Sequence, residues 1–300
     1  MSRFGRIDTL KPCRVLRRMA SIEAALAVAL LLAGQFRFGV GGAEADDTLT
    51  RILRAGVVSV GYAGEAPYAY RMPDGRLTGE AIEVGRAVFA RMGVRELEGV
   101  ETEFGQLIRG LNAGRFDVIA AGMFVTPQRC EQVAFSEPSY RIGQAFAVRR
   151  GNPKNLHDYD DIVVDREIRL GVVAGTVEFE RASRIGLDDG QLLVFPDAWV
   201  AADAVKSGRV HAFVGTAPTI QKLVEQQPKL LERSQSAGAD AVSGHGAFGF
   251  RLTDAAFRDA FDRHLRAFRG SDEHVALIAP FGFTRAELPE RSTADLCEND

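Results

Sequence analysis

Three hundred residues, 46% hydrophobic and 26% charged, can bury the core of one large domain or two moderate ones. The formal net charge is -3, and no run of like charges follows the N-terminal segment. No phosphate-binding stripe is present, which argues against a nucleic-acid partner.

The first 45 residues differ from the rest. Arg3, Arg6, Lys11, Arg14, Arg17 and Arg18 make a basic leader, and an apolar stretch "AALAVALLLAG" (24–34) follows. The next segment, "GVGGAEADD", offers small residues at Ala43 and Ala45. This order is that of a secretory signal peptide, with cleavage expected near Ala45 and export to the periplasm. The apolar run is well short of the roughly 20 residues a membrane span needs, and Arg37 interrupts any extension. Cys13 precedes the apolar run, a poor position for lipid attachment. The two later cysteines, Cys130 and Cys297, are open to two readings, a disulfide in an exported chain or two free buried thiols.

Beyond Arg51 short apolar runs alternate with amphipathic stretches. "VVSVGY" (57–62) reads as a strand, 79–93 as a helix ending at Gly93, 104–115 as a short helix stopped by Gly114, and 116–122 as a strand. Residues 143–153 read as a strand closed by a Gly-Asn-Pro turn. The pattern then restarts: strand 168–175, helix 176–186, strand 191–195, helix 197–209, strand 210–215 and helix 216–227. A strand at 244–252 and helices at 254–270 and 272–282 complete the chain. Such alternation predicts an α/β fold with mostly parallel sheets. An internal echo, "GLNAGRFDVIAAG" (110–122) against "AVKSGRVHAFVG" (204–215), suggests two similar lobes.

The stretch "GRFDVIAAGMFVTPQRCEQVAFSEPSY" (114–140) resembles the signature of the family 3 extracytoplasmic solute-binding proteins of ABC importers. The likeness spans roughly residues 50–283. It implies a periplasmic-binding-protein-like fold of type II, two α/β lobes joined by two crossing strands around a ligand cleft. The crossings are expected near 145–149 and 245–250. Lobe 1 would comprise 46–146 plus 247–300, and lobe 2 residues 147–246. It also implies a monomer that delivers a small ligand to cognate ABC membrane subunits, with no cofactor, no metal and no nucleic acid.

Within that family the chain is similar to the ectoine and hydroxyectoine binders at "GEAPYAY" (64–70), "EFGQLI" (103–108), "GMFVTPQRC" (122–130), "GTVE" (175–178) and "STADLC" (292–297). That subgroup implies a disulfide between Cys130 and Cys297. Its ligand is a compact zwitterion, a carboxylate beside a delocalised cyclic amidinium. On this resemblance Arg129 supplies a planar donor for the carboxylate. Glu65 supplies the counter-charge, and Tyr68, Phe104 and Phe124 wall the cation, each ring adding roughly 0.5–2 kcal/mol when desolvated. Gly175 and Thr176, opening a helix, match the second-lobe anion contact. Asp197 and Trp199, the only tryptophan, are expected to line the cleft. Taken singly, Arg129 also fits a surface ion pair, the rings fit core packing, and Thr176 fits a plain helix cap.

Two departures bear on specificity. Binders of α-amino acids carry a small polar residue where Phe124 stands, and an acid where Thr216 stands. An α-ammonium would then be underpaired, which favours an ectoine-like solute over an ordinary amino acid. The alternatives are a binder of a polar amino acid or opine, a periplasmic dehydratase-like enzyme, and a receptor input domain. Of five histidines, His157, His211, His264 and His274 fall in or near predicted surface turns and helix faces, and His245 near the second crossing. No nucleophilic triad, metal-ligand spacing or phosphate loop is present.

Overall fold

The computed structural model describes residues 47–188, 190–235 and 244–298. The expected signal peptide therefore lies outside the described residues. The chain opens with helix α1 (Thr48–Ala55), capped by Asp47, whose carboxylate accepts the Thr50 amide at 2.7 Å. Strand β1 (Val57–Tyr62) enters the core, and β2 (Tyr70–Arg71) and β3 (Leu77–Thr78) form a small hairpin. Helix α2 (Glu80–Arg91) packs behind them, followed by β4 (Glu96–Glu101), a 3-10 turn at Phe104–Gln106 and α3 (Leu107–Asn112). Strand β5 (Val118–Phe124), the short α4 (Pro127–Cys130), β6 (Ala134–Phe135) and β7 (Tyr140–Ile142) end the first passage.

The second sheet is then built from β8 (Gln144–Arg149), α5 (Tyr159–Val164), β9 (Leu170–Val173), α6 (Val177–Arg184), β10 (Leu192–Phe195), α7 (Ala198–Ser207), β11 (Ala212–Thr216), α8 (Ala217–Gln226) and β12 (Leu231–Gln235). The chain returns through β13 (Gly244–Phe250) to α9 (Ala255–Phe268), α10 (Asp272–Ile278) and the terminal α11 (Thr293–Cys297).

One sheet has the order β4-β1-β5-β13-β6, with β7 also pairing β13; the other runs β10-β9-β11-β8-β12. In the first, β1 is parallel to β4 and β5, whereas β13 is antiparallel to β5, β6 and β7. In the second, β9 is parallel to β10 and β11, whereas β8 is antiparallel to β11 and β12. Residues 145–149, where the sequence placed a crossing, pair wholly within the second sheet. The chain changes sheet at Gly143, between β7 and β8. The return lies between Gln235 and Gly244.

Phenylalanines fill the first core. Phe89, Phe248, Phe250, Phe257 and Phe261 interlock with ring centroids 4.8–6.1 Å apart, contacts worth about 0.5–1.5 kcal/mol each beyond area burial. Two histidines expected at the surface or a hinge lie inside. His274 is fully buried, and its Nδ1 accepts the Gly270 amide at 3.2 Å. Burial, then Arg269, pulls its pKa down to about 4. His245 is only 6% exposed. Both follow from helix and strand faces that the core claims and that a short pattern does not reveal.

Cys130 and Cys297 are bonded, tying the end of α4 to α11 across 167 residues of sequence. A cross-link over so long a loop restricts the unfolded chain strongly, typically by about 2–4 kcal/mol. Replacing both cysteines with serine is expected to lower the unfolding free energy by that amount, read as a lower urea midpoint. An unchanged midpoint would show that the cross-link contributes nothing.

Candidate functional site

In open α/β sheets the carboxyl ends of parallel strands, where connections diverge, form a crevice. Here the segments leaving β1, β5, β9 and β11 converge on one cavity between the two sheets. Its lining includes Glu65, Tyr68, Phe104, Phe124, Arg129 and Thr176, six of the residues singled out from the sequence.

Arg129 is held by the turn that carries it. Thr126 caps α4, its hydroxyl accepting the Arg129 amide at 3.3 Å, and Pro127 occupies the first turn. The side chain, 5% exposed, donates to the Phe124 carbonyl at 2.7 Å and to the Gly175 carbonyl at 2.9 Å. The first bond stays with the first sheet and the second reaches the other. The guanidinium also lies 5.7 Å from the Phe104 ring centre. Burial lowers its pKa while Glu180 and Glu178 oppose the shift. An arginine remains a cation here.

Glu65 lines the same cavity. A chain of hydroxyls leads to it: Tyr68 Oη donates to Thr216 Oγ1 at 2.9 Å, Thr216 to Thr219 Oγ1 at 3.0 Å, and Thr219 to Glu65 Oε1 at 2.6 Å. Thr216 and Thr219 belong to the second sheet's side, so this relay, like the Arg129 bond, joins the two halves. Desolvation raises the Glu65 pKa, Thr219 opposes it and Asp197 adds to it. Tyr68 is 2% exposed and stacks on Tyr140 at 5.5 Å, and Tyr140 in turn donates to the Gly122 carbonyl at 3.0 Å. Gly122 has φ +67°, and a Cβ there would come within 2.6 Å of the Tyr68 ring. Only glycine lets that ring reach the cavity.

The other expected residues take different places. Gly175 contributes its carbonyl to Arg129. Its φ is +75°, and an added Cβ would lie 2.7 Å from the Gly105 Cα, so the backbones of the two halves touch there. Thr176 lines the cavity, but its hydroxyl is spent on the fold, accepting the Phe179 amide at 3.2 Å and donating to the Val173 carbonyl at 2.8 Å. Asp197 lies outside the main cavity. It caps α7 through the Val200 amide at 2.8 Å and faces a smaller space that shares Glu65 and Phe104. Trp199, 39% exposed, borders that space too.

Two residues escaped the sequence reading. Thr219 is 2% exposed and completes the relay. Glu178 lines the main cavity, is 3% exposed, and has an Oε1 without a hydrogen-bond partner. Burial drives its pKa up to about 7. It stands inside the quoted "GTVE", but its burial depends on how α6 packs. Among the described residues no group of three or more His, Cys, Asp or Glu side chains could hold a metal ion.

Comparison with known proteins now adds to this geometry. Residues 58–283 match the profile of the bacterial extracellular solute-binding proteins, family 3. The chain belongs to that family. A probable amino-acid ABC transporter periplasmic-binding protein of Sinorhizobium fredii is 32% identical over 292 residues, covering 94% of this chain and 93% of the relative. An L-arginine-binding protein of Pseudomonas aeruginosa is 31% identical over 196 residues, covering 65% of this chain and 69% of that one. Among solved structures, that of EhuB in complex with hydroxyectoine superposes with a TM-score of 0.80 at 30% identity, covering 85% of this chain and 99% of that chain. The fold is thus the type II periplasmic-binding arrangement, two α/β lobes around a cleft, and the relatives named are binding proteins of extracytoplasmic transport systems.

Two outcomes follow from this geometry. Gly175→Ala should strain the left-handed backbone by about 1–2 kcal/mol and prop the lobes apart. Small-angle scattering should then give a larger radius of gyration than the parent's, and equal radii would refute the contact. Glu80, 1% exposed with both carboxylate oxygens unpartnered, is pushed up to about 8 by burial. Its folded pKa exceeds the ordinary value near 4.3, so the native state binds the extra proton between those limits. Stability contributed by this group falls as pH rises through that window, by up to about 1.4 kcal/mol per unit. Glu80→Gln should flatten the fall measured by denaturation between about pH 5 and pH 8, and an unaltered slope would exclude Glu80 as its source.

Proposed function

We propose that this chain is the exported solute-binding component of an ABC importer and captures ectoine, hydroxyectoine or a similar compact zwitterion. One observation carries the reading: a single cavity lined by the cation of Arg129 and the carboxylate of Glu65, with no ion pair between them among the described residues and with Tyr68, Phe104 and Phe124 around it. A short dipolar solute satisfies both charges together. Its carboxylate would replace a backbone carbonyl as the partner of Arg129, a stronger charge-assisted pairing. Its cation would meet Glu65 against aromatic faces.

The protein would act in the periplasm as a monomer, with signal-peptide cleavage near Ala45, and pass its ligand to membrane subunits. Lobe 1 would comprise 46–146 plus 247–300 and lobe 2 residues 147–246, each boundary shifted back by three residues so that β8 stays whole in lobe 2 and β13 in lobe 1. Binding is favoured over catalysis by the relatives, which are mainly binding proteins. A second reading, a cationic or polar amino acid, draws support from Glu178, an extra carboxyl in the same cavity, and from the amino-acid-binding relatives.

Titration calorimetry of the mature protein against ectoine, hydroxyectoine, glycine betaine, proline, arginine and glutamine separates the two. Micromolar or tighter binding of the ectoine pair is expected, and a flat ectoine trace beside a strong arginine trace would overturn the assignment. Arg129→Lys keeps the charge but loses the planar fork. It should weaken binding by about 1.5–3 kcal/mol, roughly 10- to 100-fold. Unchanged affinity would remove Arg129 from the ligand contact.

A further inference from the structure

We infer that Glu178 is the charge-balancing group of the cleft, bearing a proton when a net-neutral ligand fills it and losing that proton when a net-cationic ligand does. The inference rests on the reading of the cleft as a site for a carboxylate and a cation together.

The charge inventory leads to it. The main cavity is lined by one guanidinium, Arg129, and two carboxyls, Glu65 and Glu178. A zwitterion uses Arg129 for its anionic end and Glu65 for its cationic end. Nothing of opposite sign then remains for Glu178. Its residue is 3% exposed, and its Oε1 is sealed from water without a partner, alone among the side chains lining that cavity.

The groups that face Glu178 do not rescue the charge. Thr176, in its own turn, gives its hydroxyl proton to the Val173 carbonyl and brings no countercharge. Glu65 opposes its ionisation and Arg129 favours it, and a zwitterion neutralises both fields at once. Tyr159 from α5 packs near it, and Arg181 of the same helix spends its cation over the Tyr159 ring at 4.5 Å. The backbone amide of Glu178 itself favours the carboxylate, but desolvation is the larger influence and favours the neutral acid. In the free protein burial already places this carboxyl at about 7, so a proton is exchangeable at neutral pH. A ligand with a second cation would instead pair with the ionised carboxylate and require no proton.

Calorimetry with ectoine at pH 8, repeated in phosphate and in Tris, reads the number of protons taken up from the dependence of the observed heat on buffer ionisation enthalpy. The parent is expected to take up most of one proton at pH 8 and almost none at pH 5.5. Its ectoine dissociation constant should rise about tenfold between pH 8 and pH 9. L-arginine, where it binds, should show no uptake. Glu178→Gln should bind ectoine without uptake and with no such pH dependence. Ectoine heat independent of buffer in the parent, or equal uptake in parent and Glu178→Gln, would overturn this inference and leave the zwitterion site standing. Should that variant fail to fold, the parent's buffer dependence decides alone. Absence of heat with both ligands overturns the site and this inference together.

Discussion

The arrangement depends on where the Arg129 guanidinium is placed. A cation withdrawn from water needs acceptors on its donors, and these come from Phe124 in its own lobe and Gly175 in the other. The same side chain therefore holds a loop in shape and reaches across the cleft. The hydroxyl relay from Tyr68 through Thr216 and Thr219 to Glu65 is a second bridge of the same kind. Between the two bridges lies the cavity, so the contacts that draw the lobes together are also the ones that border the ligand space.

Topology explains why these residues meet. Parallel strands end on one side of each sheet, and the turns that follow them are free to carry polar groups without disturbing a ladder. Glu65 follows β1, Arg129 follows β5, Gly175 and Thr176 follow β9, and Thr216 ends β11. The antiparallel strands β8 and β13 lie beside the two places where the chain passes between sheets, at Gly143 and between Gln235 and Gly244. Two sheets between which the chain passes twice suit closure around a solute.

Much of this could be read from the amino-acid order, and the exceptions have physical causes. Strand β1 occupies the predicted 57–62, and helices α6, α7 and α8 fall inside their predicted ranges, because apolar period and capping residues are local signals. Strand β4, "ELEGVE", went unread because an edge strand exposes charge along much of its length. Strand β12, "LERSQ", is also an edge strand with few apolar residues, and β2 and β3 are two residues each. Helix α5 was passed over although Asp158 and Asp161 form a capping box. Within the site, the family resemblance pointed to Arg129 and Glu65. Glu178 and Thr219 were hidden because their importance comes from burial, which depends on partners distant in sequence. Asp197 shows the converse: its cap is local, but which space it faces is a tertiary matter.

The cross-link beside Arg129 has a mechanical consequence. Cys130 is the next residue along the chain and is covalently joined to α11, where Thr293 donates to the Ser136 carbonyl at 2.5 Å. When the far lobe pulls on the guanidinium through Gly175, a four-residue turn alone would be a weak anchor. The disulfide acts as a strut, so that the turn holding the guanidinium cannot unwind without also moving the tail of the molecule.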